Sequence, residues 1–217
     1  MTTALKIDFV SDVSCPWCAI GLASLERALE RLDGEIRADL HFQPFELNPG
    51  MPAGGQDVTE HLTQKYGSTP QQQAQSRDAI RARGAAVGFD FRKEGRGRVY
   101  NTFDAHRLLH WAAAEYPESQ RALKKELLKA YFTDGHSPED REVLVQAAAQ
   151  AGLDPAGARD VLDSGRYAAE VRDREQFYLD HGIHAVPAVI VNDRHLIQGG
   201  QPPEVFEEAL RRIAAGA

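Results

Sequence analysis

The chain has 217 residues, 42% hydrophobic and 26% charged, which is enough to bury a core without staples and is ordinary for a globular protein. Its 32 acidic side chains outweigh 25 basic ones, for a net charge of −7, so it lacks the basic footprint that nucleic acid binding requires. No run approaches the roughly 18 apolar residues of a membrane span, and no basic segment followed by an apolar one opens the chain, so a cytoplasmic location is expected.

Leu5 to Val10 is a short, β-rich apolar run that predicts a buried strand. It leads into SDVSCPWCAIG at 11–21, which holds both cysteines of the chain. A disulfide between Cys15 and Cys18 would close almost no loop, so a stapling role explains the pair poorly. The spacing suits either half of a metal site or a dithiol that opens and closes in use, and in a reducing compartment those are the readings a CxxC takes. Beyond the pair, Ile20, Leu22, Leu25, Ala28, Leu29 and Leu32 fall at helical spacing. Pro16 suits the first turn of that helix, and Gly34 is expected to end it. In EIRADLHFQPF, Ile36, Ala38, Leu40 and Phe42 alternate with polar residues and predict a second strand, with Phe42 and Phe45 in the core.

From Val58 to His181 helical periodicity dominates and predicts helices over 58–66, 71–87, 102–115, 119–132, 139–151, 155–163 and 166–180. Ser137 is the expected N-cap of the fifth of these, with Pro138 in its first turn. AVPAVIVN then reads as a strand, DRHLIQGG as a turn and a shorter strand, and PPEVFEEALRRIAAG as an amphipathic helix opened by Pro203. The order is β-α-β, a helical block, then β-β-α. Neither end can bury a core alone, so residues 1–57 and 182–217 are expected to join in one sheet, with 58–181 inserted as a helical domain in an α/β fold.

The chemistry concentrates at the cysteines. A helix N-terminus favours a thiolate at Cys15, and Cys18, one turn further in, is placed to resolve a mixed disulfide formed there. Pro16 and Trp17 set the loop geometry, and Trp17 offers an aromatic surface, but neither brings a positive charge. Asp12, three residues before Cys15, would raise that thiol's pKa. A zinc site would need two further ligands; there is no second CxxC, and His106 with His110 comes closest, so no metal is expected. Late in the chain, a cis Val186–Pro187 bond would turn the Val186 N–H and C=O towards Cys15, where an extended substrate could pair with them. The alternative is an ordinary strand-opening proline. In NTFDAHRLLHWA, Asn101, Asp104, His106 and Arg107 could line a cleft and orient a substrate carboxylate, or could be a helix start satisfied by its neighbours.

Together, DFVSDVSCPWC (8–18), FQPFELNP (42–49), NTFDAHRLLHWA (101–112) and HAVPAVIVNDRHLIQGGQPPEVF (184–206) resemble the DsbA family of thioredoxin-fold proteins, in its FrnE-like branch, over nearly the whole length. The resemblance implies a thioredoxin fold carrying a helical insertion, dithiol–disulfide exchange or isomerisation at Cys15 and Cys18, and Pro187 as the cis-proline of a substrate groove. It implies a protein or small molecule bearing a thiol or disulfide as partner, and no cofactor beyond the dithiol itself. The related 2-hydroxychromene-2-carboxylate isomerases and kappa-class glutathione transferases bind glutathione and carry serine where Cys15 stands. Glutathione is therefore a candidate co-substrate, and a glutathione-dependent isomerase or transferase acting on a small aromatic or electrophilic substrate is the second reading. A third is a chaperone-like binding protein with an idle CxxC. The chain lacks the extra C-terminal cysteine pair of some FrnE-like proteins.

Overall fold

In the computed structural model, which describes residues 2–216, β1 (Thr3–Ser11) runs through the middle of a four-stranded sheet. Its alternation sends Leu5, Ile7 and Phe9 into one buried cluster and Val10 into another, so both faces of the strand are covered. A parallel neighbour needs a crossover, which α1 (Pro16–Arg31) supplies before β2 (Ile36–Pro44) pairs with β1 from Thr3↔Ile36 to Ser11↔Pro44. On the other side β5 (Ala188–Val191) runs antiparallel to β1, and β6 (His195–Gln198) pairs antiparallel with β5. The order β2-β1-β5-β6 unites the two ends of the chain in one sheet, as their size requires.

Between β2 and β5 the periodic segments fold as α2 (Val58–Tyr66), α3 (Pro70–Val87), α4 (Phe103–Glu115), α5 (Pro117–Phe132), α6 (Arg141–Gln150), α7 (Pro155–Ser164) and α8 (Ala168–Asp180). One start differs from expectation. Asp140, not Ser137, caps α6, its carboxylate accepting the Glu142 and Val143 amides, while the Ser137 hydroxyl accepts from Glu139 in the preceding turn. Gly34 likewise lies past the end of α1, which closes at Leu32; the glycine takes φ +80 in the turn to β2. The periodicity also gave no sign of a two-residue ribbon, Gln56–Asp57 paired with Arg98–Val99, here β3 and β4.

The helical stretch shares its core with the sheet. Phe91, Leu128, Tyr131 and Phe132 join Leu5, Ile7, Phe9 and the inner face of α1, while Val13 joins the cluster of α4 to α7. Both seams meet at the loop that carries the cysteines. The last helix, α9 (Pro203–Ala214), packs on α1 and buries Phe206 and Leu210 completely, a contribution of about 2 kcal/mol for each side chain.

Candidate active site

Cys15 is the N-cap of α1, in extended conformation, with Pro16 opening the helix as its spacing predicted. Its carbonyl accepts the Cys18 and Ala19 amides, at 3.1 and 3.4 Å, so the first turn brings Cys18 back beneath Cys15. Both thiols are free; Cys15 is 4% exposed and Cys18 not at all. This geometry divides their acidity. The Cys18 thiol, and behind it the Cys18 and Trp17 amides, hold the Cys15 thiol below its ordinary pKa, against burial and the Asp12 charge. Burial pushes Cys18 well up, and the neighbouring Cys15 pushes it further.

Asp12 is fully buried and holds the approach to the dithiol. Its carboxylate accepts the Ser14 amide at 3.0 Å, the Ser14 hydroxyl at 2.8 Å and the Leu47 amide at 2.7 Å. Burial opposes its charge, but the His106 imidazole and these donors outweigh burial and lower its pKa to about 2. His106 Nε2 lies 3.6 Å from Asp12 Oδ1, beyond hydrogen-bonding distance, and has no hydrogen-bond partner. His106 thus stands beside Asp12, the carboxylate that holds the loop before Cys15.

Two cations near the loop escaped the sequence reading. Lys124 of α5 is 1% exposed, and its ammonium, depressed in pKa by burial, faces the charges of Cys18, Asp12 and Cys15. A signal for it exists: Lys124 shares the stripe Leu127, Leu128 and Tyr131, at i, i+3, i+4 and i+7, which is the buried face of α5. Arg96 donates from Nη1 to the Ser14 carbonyl at 2.7 Å, tying the segment before β4 to the residue preceding Cys15. Nothing in its glycine-rich surroundings marks that contact in sequence.

The late proline stands where the groove was expected. The Val186–Pro187 bond is cis, and the Val186 carbonyl lies 3.7 Å from Cys15 Sγ. Among the described residues the Val186 backbone enters no backbone–backbone hydrogen bond outside the regular elements, and β5 begins only at Ala188. Two glycines make the approach possible: a Cβ on Gly21 would meet Pro187 Cγ at 3.1 Å, and one on Gly200 would meet the Trp17 carbonyl at 2.8 Å. Trp17 is 38% exposed beside Cys15, with the Arg83 guanidinium 5.9 Å from its ring centroid.

The other candidates are placed differently. Asn101 accepts the Phe103 amide at 2.9 Å and starts α4, as the helix-start reading had it. Arg107 is buried and donates to Asp104, Val161 O and Arg166 O, so its guanidinium binds α4 to α7 and to the turn after α7, away from the dithiol. That corrects its expected place in the cleft: a guanidinium already filled by a carboxylate and two carbonyls has few donors left for substrate. Among the described residues no three His, Cys, Asp or Glu side chains are grouped to hold a metal ion, and no helix is long and apolar enough to cross a membrane.

A model of the DSBA-like thioredoxin domain matches residues 6–211. The solved structure of SCO1869 from Streptomyces coelicolor, described as a probable DsbA oxidoreductase, is 35% identical with a TM-score of 0.87, covering 98% of this chain and 90% of that one. YwbO of Bacillus subtilis (strain 168), described as uncharacterized, is 26% identical over 97% of this chain and 96% of its own length. The cytosolic disulfide reductase DsbM from Pseudomonas aeruginosa, solved with GSH, is 18% identical with a TM-score of 0.64, covering 95% of this chain and 98% of that one.

Proposed function

The chain belongs to the DSBA-like thioredoxin family, and on that premise we propose that it exchanges thiols and disulfides, with Cys15 as nucleophile and Cys18 as resolving thiol. The observation that carries this reading is geometric: two free thiols stand one helical turn apart at the N-terminus of α1, with Cys15 Sγ 3.7 Å from the Val186 carbonyl that precedes the cis proline. The Cys15 thiolate attacks a substrate disulfide, forms a mixed disulfide and releases one substrate sulfur as thiolate. Cys18 then loses its proton and attacks Cys15, releasing the second and leaving the Cys15–Cys18 disulfide. An extended substrate pairs with the Val186 backbone, which makes no such backbone–backbone bond among the described residues and whose carbonyl faces the Cys15 thiol, and so sets its sulfur beside Cys15.

A cytosolic reductase among the structural relatives fits a cytoplasmic role in which the dithiol rests reduced and meets oxidised substrates. Turbidimetric insulin reduction tests the proposal: the wild type accelerates it, Cys15→Ser abolishes it, and Cys18→Ser accumulates a mixed disulfide. Full activity in Cys15→Ser would refute the assignment. The glutathione-dependent isomerase reading predicts instead that reduced glutathione binds Cys18→Ser with wild-type affinity while an electrophilic aromatic substrate is turned over.

A further inference from the structure

Beside Pro16, on the side of the dithiol loop held by Arg96, a groove of about 350 Å³ opens between α2, α3 and the segment before β4. Pro16, Leu62, Ile80, Phe91 and Phe132 give it an apolar floor. Its rim is cationic, with Arg77, Arg81, Arg92 and Arg96 set against only Asp57 and Glu94. Both carboxylates are already engaged: Asp57 caps α2 through the Thr59 and Glu60 amides, and Glu94 lies 3.6 Å from Arg92. Arg96 has turned one nitrogen to the Ser14 carbonyl. Among the described residues Arg77 and Arg81, one turn apart on α3, make no side-chain hydrogen bond or ion pair, and Arg77 packs its stem on Gly95. Unengaged guanidiniums at the rim of an apolar groove, on a chain of net charge −7, are an arrangement for one kind of ligand.

We propose that this groove selects small disulfides with an apolar body and a carboxylate, holding the carboxylate at Arg77 and Arg81 while the sulfur reaches Cys15. The assignment rests on the exchange reading and names its substrate class. In the reaction the reduced protein's Cys15 thiolate attacks RS–SR; the Cys15–SR bond forms, the S–S bond breaks and one RS⁻ leaves. Cys18 gives its proton to solvent and its sulfur displaces the second RS⁻ from Cys15. The dithiol loses two electrons and the disulfide gains them, so a single turnover on pre-reduced protein needs no further reductant.

The test compares two aromatic disulfides in single turnover: dithiobis(nitrobenzoate), which carries two carboxylates, and dithiodipyridine, which is uncharged at neutral pH. The readout is the selectivity, the ratio of second-order rate constants for the anionic over the neutral probe. In the Arg77→Gln/Arg81→Gln variant this ratio falls about tenfold, the Arg77→Lys/Arg81→Lys variant recovers part of it, and added salt compresses it in the wild type. A ratio unchanged by the glutamine variant overturns the assignment. Calorimetry on the redox-dead Cys15→Ser/Cys18→Ser protein decides separately. Binding of dithiobis(nitrobenzoate) that weakens when both arginines become glutamine supports the groove, and absent or unaffected binding overturns it. Wild-type protein inert to both disulfides would sink the exchange reading alone, leaving the groove to the calorimetric result.

Discussion

His106 Nε2 stands 3.6 Å from Asp12 Oδ1 with both side chains buried beneath the dithiol loop. Asp12 ionises at about 2 in the folded chain against 3.8 for an ordinary aspartate. Its folded pKa is depressed, so its stabilisation is present above the unfolded value and is lost as pH falls through the folded one. That shift corresponds to roughly 2 kcal/mol. Denaturant unfolding of the wild type should lose this amount between about pH 4 and pH 2, whereas Asp12→Asn should lack the component and be weaker by a similar amount at neutral pH. Equal slopes for the two proteins in acid would refute it. The same variant removes a negative charge that disfavours the Cys15 thiolate, so the pH midpoint of Cys15 alkylation should move down.

Lys124 makes the opposite prediction. Its buried ammonium favours thiolate at Cys18 and Cys15, while burial depresses its own pKa, which means the fold carries the charge at a cost. Lys124→Met should raise the pH midpoint of Cys15 alkylation and slow the resolving step, by up to about tenfold for each unit of pKa. At neutral pH the denaturation midpoint should hold or rise, because a lysine with a lowered folded pKa destabilises the fold wherever the unfolded chain is charged. A variant that is less stable and unchanged in alkylation would show a purely structural lysine.

What was legible in the sequence was what local pattern encodes. Alternation in Ile36, Ala38, Leu40 and Phe42 and the β-rich run before Asp12 gave the strands, and Pro16 and Pro203 marked helix starts that the fold keeps, whereas Pro138 lies in the turn before α6. The two cysteines and Pro187 were separated by most of the chain but carried their own local signatures, so their meeting at Val186 could be anticipated. Lys124 and Lys125 are adjacent and chemically identical, and only the apolar stripe of Leu127, Leu128 and Tyr131 tells them apart: the first lies on it and points inward, while the second pairs with Glu26. For Arg107 the sequence left two readings open, and although Asp104 lies one turn away, its other partners Val161 and Arg166 are more than fifty positions distant, where no periodicity announces them. Ser137 lost the α6 cap to Asp140 because either residue could cap a following helix, and the chain turns once more before α6 begins.

Gly200 supports the dithiol from outside it. A Cβ there would press the Trp17 carbonyl at 2.8 Å, and backbone cannot yield as a flexible side chain does. Gly200→Ala should therefore cost about 1–3 kcal/mol in denaturant unfolding and slow insulin reduction, since the shift falls on the first turn of α1. Wild-type stability and rate together would mean that the β6–α9 connection moves freely and does not position the cysteines.

The account stands on Cys15 and Cys18 forming a reversible couple, and equilibration of the purified protein against glutathione redox buffers measures that directly. The hydrogen bonds to Cys15 and the Lys124 charge stabilise the reduced form, while Asp12 and burial act against it. The predicted outcome is one two-electron transition, between the thioredoxin value of about −270 mV and the DsbA value of about −120 mV, absent in Cys15→Ser. A pair that forms no disulfide at any buffer ratio, or forms one that the buffers cannot reverse, would contradict it.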